Sequence, residues 1–307
     1  MTQEKITIGN KYPLDGLLTL PTGNGPFPAV VLVHGSGVSD MDSNVGAIRP
    51  FKDIAEGLAE FGVATIRYNK RAFTHWKVMR KDFPNDLTVF EETIEDAIFA
   101  KDLLMKDSRI KPGGIFVAGL SLGGQQAPRI AKMGEDFAGI IILAGTPRLL
   151  TEVIVCQQDN FVENSNALMK WLMKRPIRKM RAKFDGLLAM TDEEAKKEKF
   201  AGGTTMYYLL DMARHPVKKY LDQLELPVLV MHGDADLQVL TDKDFNRYKE
   251  LLADHPDATF KLYPGLNHCF FPSTNTKITK VMKEFKAGGT VKPYVIKDIA
   301  EWVKVRG

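Results

Sequence analysis

Disulfide frameworks, cysteine-rich metal sites and long apolar runs are all missing from this chain of 307 residues. Its two cysteines, Cys156 and Cys269, show neither paired-ligand spacing nor a framework pattern, so no disulfide scaffold and no metal site is expected. No apolar stretch approaches the roughly 20 residues of a membrane-spanning helix, and the first residues, Met1 to Ile8, carry no apolar leader core. An excess of one charge is also missing. The 42 Lys and Arg against 38 Asp and Glu leave +4, too small and diffuse for a nucleic-acid footprint or a membrane-surface patch. Internal repeats and low-complexity tracts are absent as well. These absences lead to the expectation of a soluble, cytoplasmic protein acting on a small molecule, with no nucleic acid and no membrane partner. Whether it pairs as a homodimer is left open.

What is present is an alternation of buried strands and helices. Phe27 to Val33 is a continuous apolar run, which suits a strand covered on both faces. Val63 to Tyr68, Ile115 to Ala118, Gly139 to Ala144, Pro227 to Met231 and Thr259 to Tyr263 repeat the theme. Between them, Arg49 to Phe61 places Ile54, Leu58 and Phe61 on one helical stripe. Thr88 to Met105 is acidic at its start (Glu91, Glu92) and basic at its end (Lys101, Lys106), as a helix dipole favours. A helix is expected again from Val295 to Val303. Ile6 to Ile8 and Leu17 to Leu20 read as short strands around a turn at Pro13-Leu-Asp-Gly16. The pattern predicts an α/β fold with a mostly parallel sheet and helices on both faces.

Residues 147–222 interrupt that pattern with about eighty residues lacking any strand signal, too long for a simple loop. Leu168, Trp171, Leu172 and Met173 recur at helical spacing, as do Met206, Leu209, Leu210 and Ala213. The segment is read as a helical cap inserted between two core strands, with 1–146 and 223–307 forming the core. Its basic run, Lys170, Lys174, Arg175, Arg178, Lys179, Arg181 and Lys183, reads as a solvated helix face rather than an anion funnel. Asp192, Glu193 and Glu194 follow close behind.

The chemistry is concentrated in Gly119-Leu-Ser-Leu-Gly123, a G-x-S-x-G pentapeptide between the Ile115 strand and a helix expected from Gln125 to Met133. A strand that turns at once into a helix leaves the central residue strained and its neighbours without room for side chains. Ser121 is then exposed above the sheet, at a helix N-terminus. A serine hydroxyl needs a base to become a nucleophile. His232-Gly-Asp-Ala-Asp-Leu-Gln-Val239 and Tyr263-Pro-Gly-Leu-Asn-His268 each follow a buried strand, so Asp236 and His268 fall at the edge of the sheet where such sites gather. Asp234 competes with Asp236, which is preferred because Val239 lies three residues beyond it. His268 alone would read as an ordinary packed histidine. Together with Ser121 and Asp236 it reads as a general base.

His34-Gly-Ser-Gly37 supplies the remaining feature. A small loop here lets main-chain N–H groups approach a substrate carbonyl, and the N–H groups of Ser36 and Leu122 are assigned as an oxyanion hole. A tight strand-to-helix connection is the competing explanation. No G-x-x-x-x-G-K-[ST] spacing follows, so a phosphate loop is excluded. His34 is read as structural, His75 as a residue that could line the pocket, and His215, His232 and His255 as packing, capping or surface groups. Cys269 lacks a nucleophile turn and reads as a packed thiol.

With these residues, the chain resembles the α/β-hydrolases, specifically bacterial carboxylesterases related to dienelactone hydrolases and prolyl-oligopeptidase-type domains. The motifs that carry the resemblance are HGSG at 34–37, RYNKR at 67–71, GLSLGG at 119–124, HGDADLQV at 232–239 and YPGLNHCF at 263–270. The likeness covers nearly all of the chain outside 147–222. It implies Ser121 as nucleophile, Asp236 as acid and His268 as base, short-chain acyl esters as substrates, and no cofactor. The chain departs from the family at Leu120, where His is common, and at Asn69, where Asp is common. Dienelactone hydrolases themselves carry Cys in place of Ser121. Three rivals stay open: a serine aminopeptidase or acyl-peptide hydrolase using the same residues, an esterase for hydroxycinnamate or acetylated-sugar esters, and a non-catalytic binding protein on the same scaffold.

Overall fold

Runs of β-branched and apolar residues too short for helices become the strands of one sheet, and amphipathic segments between them become its coverings. The computed structural model describes residues 1–200 and 203–307. Strand β1 spans Thr2–Ile8, β2 Leu14–Leu20, β3 Phe27–Val33 and β4 Ala64–Tyr68. Strand β5 spans Ile110–Leu120, β6 Gly139–Leu143, β7 Val228–Gly233 and β8 Ala258–Tyr263. They form one eight-stranded sheet in the order β1-β2-β4-β3-β5-β6-β7-β8. Among the strands of the described residues, β1–β2 and β2–β4 pair antiparallel and every pairing from β4 to β8 is parallel. The mostly parallel sheet expected from the sequence is the one that forms. The turn expected at Pro13 to Gly16 is displaced, because Leu14, Asp15 and Gly16 pair within β2 and the reversal falls before them.

Helix α1 (Pro50–Glu60) follows β3, α2 (Arg71–Asp82) and α3 (Glu95–Met105) lie between β4 and β5, and α4 (Leu122–Gly134) follows β5. A π-helical turn at Phe90–Ile94 runs into α3, so the helix expected from Thr88 is irregular in its first turns. Alternate strand residues divide the core between two faces. Val30, Leu32, Phe116, Ala118 and Leu229 join α1 and the C-terminal helix on one face. Ala29, Val31, Val33, Val117 and Ile142 join α3 and α4 on the other. This inward alternation fixes the pairing register, since a one-residue slip would move every core side chain to the wrong face.

Between β6 and β7 lie α5 (Leu150–Glu163), α6 (Ala167–Asp185), α7 (Asp192–Lys197), α8 (Met206–Arg214) and α9 (Val217–Leu221). The two halves of this segment pack differently. Met206, Leu209 and Leu210 of α8, with Val217 and Leu221 of α9, belong to the same apolar cluster as α3 and α4. By contrast, α6 buries only Ile177. Leu168, Trp171 and Leu172 lie on a helix, as their spacing predicts, but Trp171 is 73% and Leu168 66% exposed. Helical periodicity identifies the helix and not which face is covered. Arg181 pairs with Asp159 and Lys183 with Glu198, while the rest of the basic run is exposed, as a solvated face would be.

The chain closes with α10 (Asn246–Leu251), α11 (Val281–Ala287) and α12 (Pro293–Arg306). Among the described residues no helix is long and apolar enough to cross a membrane, and no group of three His, Cys, Asp or Glu side chains is arranged to hold a metal ion.

Candidate active site

The parallel register sets the ends of five strands side by side. Val33 pairs with Gly119, Leu120 with Leu143, and Gly233 with Tyr263. The loops at 34–37, 121, 234–239 and 264–268 therefore leave the sheet at one edge. Ser121 follows β5 directly and opens α4 with φ 57° and ψ −116°, a conformation L-residues rarely adopt and one that stores strain. Its N–H donates to Leu143 O at 2.9 Å, and its carbonyl accepts from Gln125 N at 2.9 Å, so the turn is tied on both sides.

The glycines around it are a steric necessity. A Cβ at Gly119 would stand 2.1 Å from the Gly123 backbone, and one at Gly123 would stand 2.3 Å from Val33 O. Backbone crossing this close is possible only without side chains. At Gly35 the fit is tight but not closed: a Cβ would stand 3.2 Å from Ser121 Cβ and 3.8 Å from its Oγ. The loop at 34–37 thus lies against the serine. The Leu122 N–H belongs to the first helical turn, where N–H groups have no intrahelical partner.

His268 and Asp236 meet. His268 Nδ1 lies 2.6 Å from Asp236 Oδ2, with both side chains nearly buried. A carboxylate can only accept, so Nδ1 is the donor, and in the neutral ring that tautomer leaves Nε2 with a lone pair. The other carboxylate oxygen of Asp236 accepts from Gln238 N at 2.7 Å and Val239 N at 3.1 Å. Asp234, the competing carboxylate, is exposed and accepts from Gly265 N at 2.6 Å. The His268 loop is held by Asn267, whose Oδ1 accepts from Cys269 N at 3.1 Å.

The other histidines are packed or bonded apart from the Asp236–His268 pair, except His232, which lies within electrostatic reach of both. His34 is buried, donates from Nε2 to Tyr68 O at 2.6 Å and packs on Phe51; burial lowers its pKa to about 4, so the ring is neutral near pH 7. His75 bonds Pro13 O at 2.7 Å and touches Tyr12, an attachment to the β2 end rather than to the serine loop. His215 meets Tyr220, His232 is buried against Phe245, and His255 accepts from Asp257 N. Cys269 is buried and its thiol pKa is pushed well up by burial, which removes the thiolate needed for reactivity.

Two groups here escape a reading of the sequence. Asp244, fully buried, accepts from Arg148 Nε and Nη2, each at 2.7 Å, from Thr146 Oγ1 and from Leu240 N at 2.7 Å. It pins the entry to α5 onto the loop that carries Asp236. Lys70, also buried, donates to Gly35 O at 2.9 Å and pairs with Glu92 at 3.0 Å. Its only signal in the sequence is the cluster of basic residues in RYNKR, directly after a buried strand. Asn69 in that motif accepts from Met41 N at 2.9 Å. A cleft of about 710 Å³ opens between α5 and α6, lined by Leu149, Val155, Cys156, Phe184 and Lys243, and touches none of Ser121, Asp236 and His268.

Comparison with known proteins agrees with this architecture. Residues 26–274 match the family model described as serine aminopeptidase, S33. Esterase EstD of Thermotoga maritima is 33% identical over 310 residues, spanning 98% of this chain and 67% of that protein. The peroxisomal succinyl-coenzyme A thioesterase of Mus musculus is 23% identical over 302 residues, spanning 94% of this chain and 61% of its own length. Among solved structures, Est1E from Butyrivibrio proteoclasticus aligns with a TM-score of 0.58 at 19% identity, covering 96% of this chain and 99% of that one.

Proposed function

The chain belongs to the serine aminopeptidase S33 family and has the α/β-hydrolase fold, and on that premise we propose that it is a serine carboxylesterase. The observation that carries the proposal is the Asp236–His268 hydrogen bond at the same sheet edge as the strained Ser121 and its Gly35 loop. In this reading Ser121 Oγ attacks the ester carbonyl carbon and His268 Nε2 takes the hydroxyl proton. Asp236 holds the imidazole in its Nδ1–H tautomer and stabilises the cation that forms. The negative charge that develops on the carbonyl oxygen is received by the N–H groups of Ser36 and Leu122. Collapse expels the alcohol, which His268 protonates, and water then cleaves the acyl-enzyme by the same route.

Residues 147–222 serve in this proposal as the cap that shapes the acyl or alcohol pocket, with short-chain or small aromatic acyl esters as substrates. The resemblance to an esterase of 33% identity over nearly the whole chain supports ester cleavage. The family description supports a second reading, cleavage of aminoacyl amides by the same residues. A panel of p-nitrophenyl acyl esters, methyl ferulate and aminoacyl anilides separates them. The esterase reading predicts a kcat/KM for short acyl esters far above that for any anilide, and the reverse order would overturn it.

A further inference from the structure

The peptide unit joining Gly35 to Ser36 has two ends that point in opposite directions, because a trans peptide sets its C=O antiparallel to its N–H. The carbonyl end is held by a buried cation: Lys70 Nζ donates to Gly35 O at 2.9 Å, and the residue is 2% exposed. The N–H at the other end is therefore turned away from Lys70. The Gly35 segment also lies against the serine, since a Cβ placed on Gly35 would stand 3.2 Å from Ser121 Cβ. Without such a restraint this loop would rotate easily, since Gly35 has no side chain and Gly37 sits at φ +87°.

The cation itself is balanced. Lys70 pairs with Glu92 Oε1 at 3.0 Å, and Glu92 Oε2 accepts from Tyr208 OH at 2.5 Å on α8. Tyr208 is buried in turn. A chain of polar contacts thus runs from the helices inserted after β6, through Glu92 and Lys70, to the loop beside the serine. A cation bonded to a carbonyl oxygen also polarises the amide, which strengthens its N–H as a donor.

We propose that Lys70 is a positioning residue for ester cleavage, locking the Gly35–Ser36 peptide so that the Ser36 N–H meets the oxyanion formed on Ser121 attack. The inference rests on the reading of Ser36 N–H as an oxyanion donor, and the experiment separates the two. Kinetics on p-nitrophenyl acetate, with sites counted by burst titration, are measured for Lys70→Met, Lys70→Arg, Ser36→Pro and the Lys70→Met/Ser36→Pro double variant, with thermal melts alongside. Removing an oxyanion donor outright costs about 10²–10³ in kcat, so Ser36→Pro should fall in that range. Lys70→Met should lose roughly 10- to 100-fold in kcat per titrated site with KM within about twofold, since a misaimed donor keeps part of its effect. Lys70→Arg should recover most of the loss, and the double variant should be little slower than Ser36→Pro alone. Should Lys70→Met fail to fold, Lys70→Gln, too short to hold the carbonyl, is expected to show the same kcat loss. Ser36→Pro at full kcat overturns the donor assignment and this inference with it. A slow Ser36→Pro enzyme beside a Lys70 variant with wild-type kcat, or losses that multiply in the double variant, overturns the role of Lys70 alone.

Discussion

Gly233 and Leu266 stand so close that a Cβ on the glycine would lie 2.2 Å from the leucine carbonyl oxygen. This contact joins the loop that carries Asp236 to the loop that carries His268. Ala235 N donates to the same Leu266 oxygen at 3.0 Å, and Asp234 N to Tyr263 O at 3.1 Å. Gly233→Ala is therefore expected to push the two loops apart. The overlap is with backbone, which cannot rotate aside, so the cost should be at least about 1–3 kcal/mol of stability. Ester turnover should fall with it. Gly186→Ala is the control, since the nearest atom to its Cβ would be 3.8 Å away. Urea unfolding of both variants checks the contrast.

The buried His34 gives the protein an acid-sensitive element. Burial holds its pKa at about 4 in the folded state, against an ordinary value of 6.5. Below pH 6.5 the unfolded chain takes up a proton that the folded ring refuses until about pH 4. Stability from this residue is thus complete above pH 6.5 and is lost as the pH falls towards 4, by roughly 3 kcal/mol in all. The slope of unfolding free energy against pH in this window should be shallower in His34→Gln, which can still donate to Tyr68 O. Equal slopes would contradict the assignment.

Asp244 is expected to matter through what it leaves behind. Asp244→Ala strands the Arg148 guanidinium, whose side chain is only 17% exposed, without a counter-charge. Breaking a buried pair this way costs about 3–5 kcal/mol. Asp222→Ala, which removes an exposed i,i+4 partner of Lys218, should cost less than about 1 kcal/mol. Chemical denaturation at neutral pH compares the two directly.

Much of this arrangement was legible in the sequence because its causes are local. A G-x-S-x-G turn between a strand and a helix is a short-range steric pattern, and Ser121 is strained for the reason the pattern implies. Buried parallel strands announce themselves as apolar runs, so β3 was readable to the residue. Helix α2 was not, because it buries only Arg71, Ala72 and Met79 and leaves no apolar stripe to detect. The outward turn of Leu168 and Trp171 was equally hidden, since periodicity says nothing about which neighbour a helix finds. Lys70 and Asp244 act through partners distant in the chain, Gly35 with Glu92 and Arg148 with Thr146. Tertiary contact alone gives those charges their meaning.

The most direct test is covalent. A fluorophosphonate probe offered to the wild-type protein should label a single serine, mapped by mass spectrometry to the Ser121 peptide. Ser121→Ala should keep the wild-type melting profile while losing both labelling and p-nitrophenyl acetate turnover. Wild-type protein that is folded yet unlabelled, or a Ser121→Ala variant that still hydrolyses the ester, would contradict the account.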